Sequence, residues 1–171
     1  MKNIVLIGIM GCGKTTCGYC LAQNVRGFQF IDTDEIIEKG ENMKISRIFT
    51  NYGESYFRNL EYNLINNLVK KQKKIIATGG GIVENDKTFE LLLNNETVFY
   101  LNTPLEVVKN RIKNDSNRPL LNQIDEKFKA REAKYKLAHY TIDTYNKDIS
   151  QICNEIIGKY YERNSWCKNY K

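Results

Sequence analysis

Short apolar runs alternate with longer amphipathic ones along the chain. Ile4-Val5-Leu6-Ile7 is uniformly apolar and rich in β-branched residues, the pattern of a strand buried on both faces. A helix is predicted from Lys14 to about Asn24, and Phe28–Ile31 reads as a second strand ending at Asp32. Residues 34–39 and 45–52 read as short helices. Residues 54–70 form a stronger one, because Phe57, Leu60, Leu64, Ile65, Leu68 and Val69 share a face. Lys74–Thr78 is a third strand, stopped by Gly79-Gly80-Gly81. Residues 86–95 read as helix and 97–101 as a fourth strand, and Pro104 opens a helix at its favoured first-turn position. Residues 114–124 are polar and read as a loop. Helices over 125–138 and 148–162 enclose a weak strand near 140–143. This alternation predicts an α/β fold, a five-stranded parallel sheet with helices on both faces. Ligands of such sheets bind at the carboxyl ends of the strands.

The chain has 171 residues, enough for one domain with a real core. No apolar run approaches the ~18 residues that span a bilayer, and the N-terminal run is too short for a signal peptide, so the expectation is a cytoplasmic protein without a membrane partner. The net charge is +6, but the lysines are scattered rather than striped, which argues against nucleic acid as a partner. Nothing signals an obligate interface, so a monomer is expected. Cys17-x-x-Cys20 could be redox-active or half a metal site, but no second pair completes four ligands and His139 is the only histidine. Small buried hydrophobes are the plainer reading.

Gly8-Ile9-Met10-Gly11-Cys12-Gly13-Lys14-Thr15 matches G-x-x-x-x-G-K-[ST] between a strand and a helix, the context that confirms a phosphate-binding loop. Gly11, Cys12, Gly13, Lys14, Thr15 and Thr16 are the candidate ATP contacts. In such loops the lysine reaches the β- and γ-phosphates and the hydroxyl of the following residue coordinates Mg²⁺. Guanine-reading N-K-x-D is absent, since Asn146-Lys147-Asp148 lacks the intervening residue. A small P-loop kinase remains. Asp32 is the candidate second Mg²⁺ ligand. Asp34 is either the base that takes the acceptor's proton or merely the cap of the helix that follows.

The P-loop, Asp32-x-Asp34, Phe57-Arg58-x-x-Glu61, Ala77-Thr78-Gly79-Gly80-Gly81, Arg118-Pro119-Leu120-Leu121 and Arg131-x-x-x-Tyr135-x-x-Ala138 occur in the order seen in shikimate kinases. The chain resembles that family over about residues 3–160. The resemblance implies a single-domain P-loop NTPase fold and transfer of the ATP γ-phosphate to the 3-hydroxyl of shikimate, with Mg²⁺, on the route to chorismate and aromatic amino acids. It implies that Asp34 contacts the shikimate hydroxyls and is the base, and that Arg58 and Arg131 bind the shikimate carboxylate. Gly79, Gly80 and Gly81 would offer backbone N–H groups to the substrate. Arg118, in a short lid over about 112–124, would close on the ATP phosphates, and Lys14 would complete the catalytic set. The substrate-binding segment is expected over about 33–61. Glu61 could orient Arg58 or be a solvent-facing helical ion pair. The adenine contacts near 144–149 stay unassigned, and 163–171 form a tail. The alternatives are a gluconate-type sugar-acid kinase, or a nucleotide-dependent switch or nucleic-acid module.

Overall fold

Strand β1 (Ile4–Ile7) sits in the middle of the molecule, and its four residues are wholly buried. The computed structural model describes residues 1–113 and 124–166. It places β2 (Gln29–Asp32), β3 (Lys74–Ala77), β4 (Thr97–Asn102) and β5 (Tyr140–Asp143) around β1 in the order β2-β3-β1-β4-β5, every pair parallel. Each strand returns through a helix: α1 (Lys14–Asn24), α2 (Thr33–Glu41), α3 (Ile45–Leu68), α4 (Asp86–Asn95), α5 (Leu105–Ile112) and α6 (Ile124–Tyr135), with α7 (Ile149–Trp166) last.

Alternation along β1 divides the core. Ile4 and Leu6 pack with Cys17 and Leu21 of α1, Val108 and Ile112 of α5, and Ile156 and Tyr160 of α7. Val5 and Ile7 face the other way, into Ile65 and Leu68 of α3 and Phe89 and Leu92 of α4. Each such fully buried aliphatic chain stabilises the fold by about 1.5–3 kcal/mol, which is why a four-residue strand can anchor everything hung from its ends. A smaller cluster of Ile37, Ile48 and Phe57 locks α2 against α3.

Four boundaries differ from expectation. The predicted helices 45–52 and 54–70 are one element, bent at Gly53, whose φ of 80° and ψ of 170° only glycine adopts cheaply. Pro104 lies outside α5, at its N-cap with ψ 135°, not in the first turn. A short 3-10 turn, Ile82–Glu84, follows the triglycine. The helix expected to end near 162 continues to Trp166, so the first part of the expected tail is helical. Among the described residues no helix is long and apolar enough to cross a membrane. The cysteines on α1 and α7 are packed thiols: Cys17 Sγ lies 3.8 Å from Cys153 Sγ, and burial pushes the Cys20 thiol up to about 11. That is the inert environment of the small-hydrophobe reading.

Candidate active site

The loop after β1 needs its glycines: Gly11 has φ 76° and Gly13 φ 103°. Gly13 is the N-cap of α1 and supplies no side chain, so no side-chain hydrogen bond caps the first turn of that helix. Its N–H groups and positive dipole end are therefore available to an anion. Lys14 folds back over the loop, its Nζ donating to Gly8 O at 2.8 Å and Ile9 O at 3.0 Å. The ammonium is thus held among backbone carbonyls, where a phosphate oxygen can exchange with them. Arg111 on α5 donates to Gly11 O at 3.3 Å and brings a second cation to the loop.

Thr15 Oγ1, one residue further on, donates to Asp32 Oδ2 at 2.9 Å. The other oxygen, Asp32 Oδ1, accepts from the backbone N–H of Asp34 and Glu35. Asp32 is therefore the cap of α2, and the alternative that Asp34 serves as that cap is set aside. A hydroxyl and a carboxylate in direct contact are the hard oxygen donors that Mg²⁺ accepts. Among the described residues no group of three or more His, Cys, Asp or Glu could hold a metal ion unaided. An ion here would draw its remaining shell from phosphate oxygens and water, as Mg²⁺ commonly does.

Asp34 points elsewhere. Its Oδ1 and the Oε1 of Glu61 are buried and lack hydrogen-bond partners. Burial pushes the Asp34 carboxyl up to about 6; the Asp32 charge adds to the rise and Lys14 opposes it. Burial likewise pushes Glu61 up to about 7, against the pull of Arg58. Glu61 is 1% exposed and accepts from Arg58 Nη1 at 2.5 Å, so the solvent-facing alternative for this pair does not hold.

Arg58 from α3 and Arg131 from α6 converge on one carboxylate, that of Glu84. Arg131 Nε and Nη2 donate to Glu84 Oε1 at 2.9 and 2.7 Å, while Arg58 Nη2 donates to Glu84 Oε2. Gly80 O accepts from Tyr135 Oη at 2.5 Å and from Arg131 Nη1 at 3.3 Å, so the triglycine turn is tied to α6. A Cβ on Gly80 would lie 3.1 Å from Met10 N, and one on Gly81 would meet the Arg58 guanidinium. These glycines are required by close approach. The Gly79 N–H donates to Thr33 Oγ1 at 3.2 Å, which ties the triglycine turn to the start of α2.

A family model described as shikimate kinase matches residues 10–161. The chain belongs to the shikimate kinase family. It is 43% identical to a shikimate kinase of Persephonella marina, over 93% of this chain and 99% of that one. A solved shikimate kinase from Acinetobacter baumannii, in complex with shikimate, is 34% identical and superposes with a TM-score of 0.88, covering 95% and 94% of the two chains. A gluconokinase from Sinorhizobium meliloti is 16% identical with a TM-score of 0.63 over 99% and 98%. That likeness shows the fold alone and does not favour the sugar-acid kinase alternative.

Against this family frame, the structure brings Lys14, Thr15, Asp32, Asp34, Arg58, Arg131 and the triglycine to one end of the sheet. Gly11, Cys12, Gly13 and Thr16 lie at the loop and the start of α1. Ile112 and Ile124, the bounds of the expected lid, are the last residue of α5 and the first of α6, and Arg118, with the rest of 114–123, lies outside the described residues. Near 144–149, Thr144 Oγ1 lies 2.7 Å from Thr103 Oγ1, which in turn donates to Cys12 O, so this segment braces the phosphate loop. Glu54 and Glu84 went unrecognised in the sequence. Glu54 sits at the i,i+4 spacing from Arg58 and was legible there. Glu84 has no local signal, because its partners come from two distant helices.

Proposed function

We propose that this chain transfers the γ-phosphoryl group of ATP to the 3-hydroxyl of shikimate, giving shikimate 3-phosphate and ADP. The observation that carries the assignment of roles is Asp34: a buried carboxylate oxygen without a partner, two residues beyond Asp32 of the Thr15–Asp32 pair and beside the triglycine that Arg58 and Arg131 also meet. A carboxyl with a pKa of about 6 is largely ionised at neutral pH and is well matched to accept an alcohol proton. In the reaction the acceptor O–H proton passes to Asp34, the acceptor oxygen bonds to phosphorus, and the bond to the β-phosphate oxygen breaks. Lys14 exchanges its loop carbonyls for phosphate oxygens. Thr15 and Asp32 would hold Mg²⁺, which would neutralise phosphate charge. Arg58 and Arg131 orient the acceptor through its carboxylate, for which planar guanidinium groups suit. The role of Arg118 as a phosphate contact rests on Arg118-Pro119-Leu120-Leu121 alone.

The segment 33–61 carries Asp34, Arg58 and Glu61 and is the substrate-binding part of the domain. The described cysteines are free thiols, as suits the reducing cytoplasm. A coupled ADP-release assay over shikimate, quinate, gluconate and nucleoside monophosphates tests the reading. Shikimate should be the strongly preferred acceptor; equal or higher turnover with any other acceptor overturns it.

A further inference from the structure

Glu84 lies where the acceptor's carboxylate is expected. Its carboxylate spans Arg58 and Arg131, one oxygen to each guanidinium. That is the two-arginine arrangement assigned above to shikimate. The remaining donors show how fully the arrangement is occupied. A guanidinium has five N–H groups. Arg58 directs Nε and one Nη2 hydrogen to Glu54 Oε1, the other Nη2 hydrogen to Glu84 and one Nη1 hydrogen to Glu61. One N–H is left, too few for a paired hold on an incoming carboxylate. On Arg131 the Nε–Nη2 edge is taken by Glu84 and Nη1 reaches Gly80 O.

Charge leads to the same place. Two arginines face Glu54, Glu61 and Glu84, with Asp34 close by. A further carboxylate entering beside all of them would meet an excess of like charge. Glu61 cannot move aside, since its side chain is 1% exposed, whereas that of Glu84 is 36% exposed on a short turn at the rim. Glu84 is the carboxylate able to leave for water.

We propose that Glu84 is a built-in occupant of the acceptor-carboxylate subsite, holding Arg58 and Arg131 in register in the empty enzyme and displaced by the carboxylate of the substrate. The exchange of one carboxylate for another leaves the charge at the arginines unchanged. An acceptor without a carboxylate has nothing to put in place of Glu84, so the residue also discriminates against neutral polyols. The inference rests on Arg58 and Arg131 being the carboxylate clamp.

The test compares Glu84→Ala and Glu84→Gln with Arg131→Lys in the full chain at saturating ATP and Mg²⁺. If the occupant fills the subsite in about two-thirds to nine-tenths of empty molecules, its removal lowers KM for shikimate about three- to tenfold. Glu84→Ala should show that fall, with kcat and KM for ATP within about twofold of wild type. Glu84→Gln, which keeps an acceptor oxygen but no charge, should fall less, and serves alone if the alanine variant does not fold. Sodium acetate, set against sodium chloride at equal ionic strength, should compete with shikimate more strongly in Glu84→Ala than in wild type. An unchanged or raised KM for shikimate in the Glu84 variants, with Arg131→Lys raising it, overturns the occupant and leaves the clamp standing. An unchanged KM in Arg131→Lys overturns the clamp and the occupant with it.

Discussion

Asp34 Oδ1 and Glu61 Oε1 converge on Gly79 from two helices, and a Cβ on that glycine would lie 2.7 Å from the first and 3.0 Å from the second. Both oxygens are buried without partners, and burial raises both carboxyls. The site thus keeps acidic oxygen unsatisfied at its centre, where an acceptor hydroxyl can donate to it.

Asp34→Asn keeps the shape and removes the proton acceptor. Loss of a general base costs about 10²–10⁴-fold. Steady-state kinetics should show kcat falling by that much while KM for ATP stays nearly constant. In wild type, kcat/KM for shikimate should rise with pH through about 6, as Asp34 ionises. A variant retaining more than about half of wild-type activity removes Asp34 from the mechanism.

The same substitution carries a stability signature of opposite sign. The folded pKa of Asp34 lies above its unfolded value, so its contribution is full below about pH 4 and is lost as pH rises through about 6. Above that, the ionised, poorly solvated carboxylate costs stability. Asp34→Asn should raise Tm at pH 8 by about 6–12 °C, taking about 3 kcal/mol of relieved burial at about 2–4 °C per kcal/mol, and by less at pH 5. His139 works the other way: burial lowers it to about 4, so its contribution is lost as pH falls. Comparing variant with wild type at each pH cancels it.

Gly79→Ala should disable the enzyme through Asp34 rather than through binding of nucleotide. The added methyl displaces the carboxylate, and misplacement of a reacting group by ~1 Å can cost 10²-fold. The expected result is a loss of kcat of that order with nucleotide affinity intact, read by titration with ADP.

Arg58→Lys keeps a charge but cannot reach Glu54, Glu61 and an acceptor carboxylate together. Loss of a charge-assisted pair of about 1.5–3 kcal/mol corresponds to a roughly 10–100-fold rise in KM for shikimate. KM for ATP should move little. An equal rise in both constants would show a general disturbance of α3 instead.

Thr15→Val is nearly isosteric and deletes one hard oxygen next to Asp32. The Mg²⁺ concentration for half-maximal rate should rise about tenfold or more, in line with the effect of lost metal-site groups. No change in the Mg²⁺ titration would mean that the hydroxyl serves only to hold Asp32.

Much of this site was legible because its residues follow strands at short, fixed spacings. Lys14 and Thr15 sit one loop beyond β1, and Asp32 and Asp34 at the end of β2, so local pattern places them. What pattern could not divide was labour within a pair: that Asp32 caps α2, freeing Asp34, depends on which carboxylate meets two backbone N–H groups. Arg58 and Arg131 were reached through family resemblance, since nothing local joins a residue of α3 to one of α6. The commitment of Gly79 N–H to Thr33 and the bridge through Glu84 both join distant segments, to which periodicity is blind.

The central position of β1 has a consequence for how the protein is made. Its partners are β3, with Ile4 beside Ile75, and β4, with Ile4 beside Thr97. During synthesis β1 therefore waits for its first partner until Lys74–Ala77 has been made, and keeps one edge open until Thr97–Asn102 follows. Closing such large loops costs entropy before any contact repays it, so formation of this sheet is intrinsically slow. Until β4 emerges, Ile4-Val5-Leu6-Ile7 is an apolar, β-prone segment with an open edge, a natural target for holding chaperones. The phosphate-binding loop can take shape only once β1 is fixed on both sides. Nascent chains released before Thr97 should therefore lack nucleotide affinity, although they contain every residue of the loop.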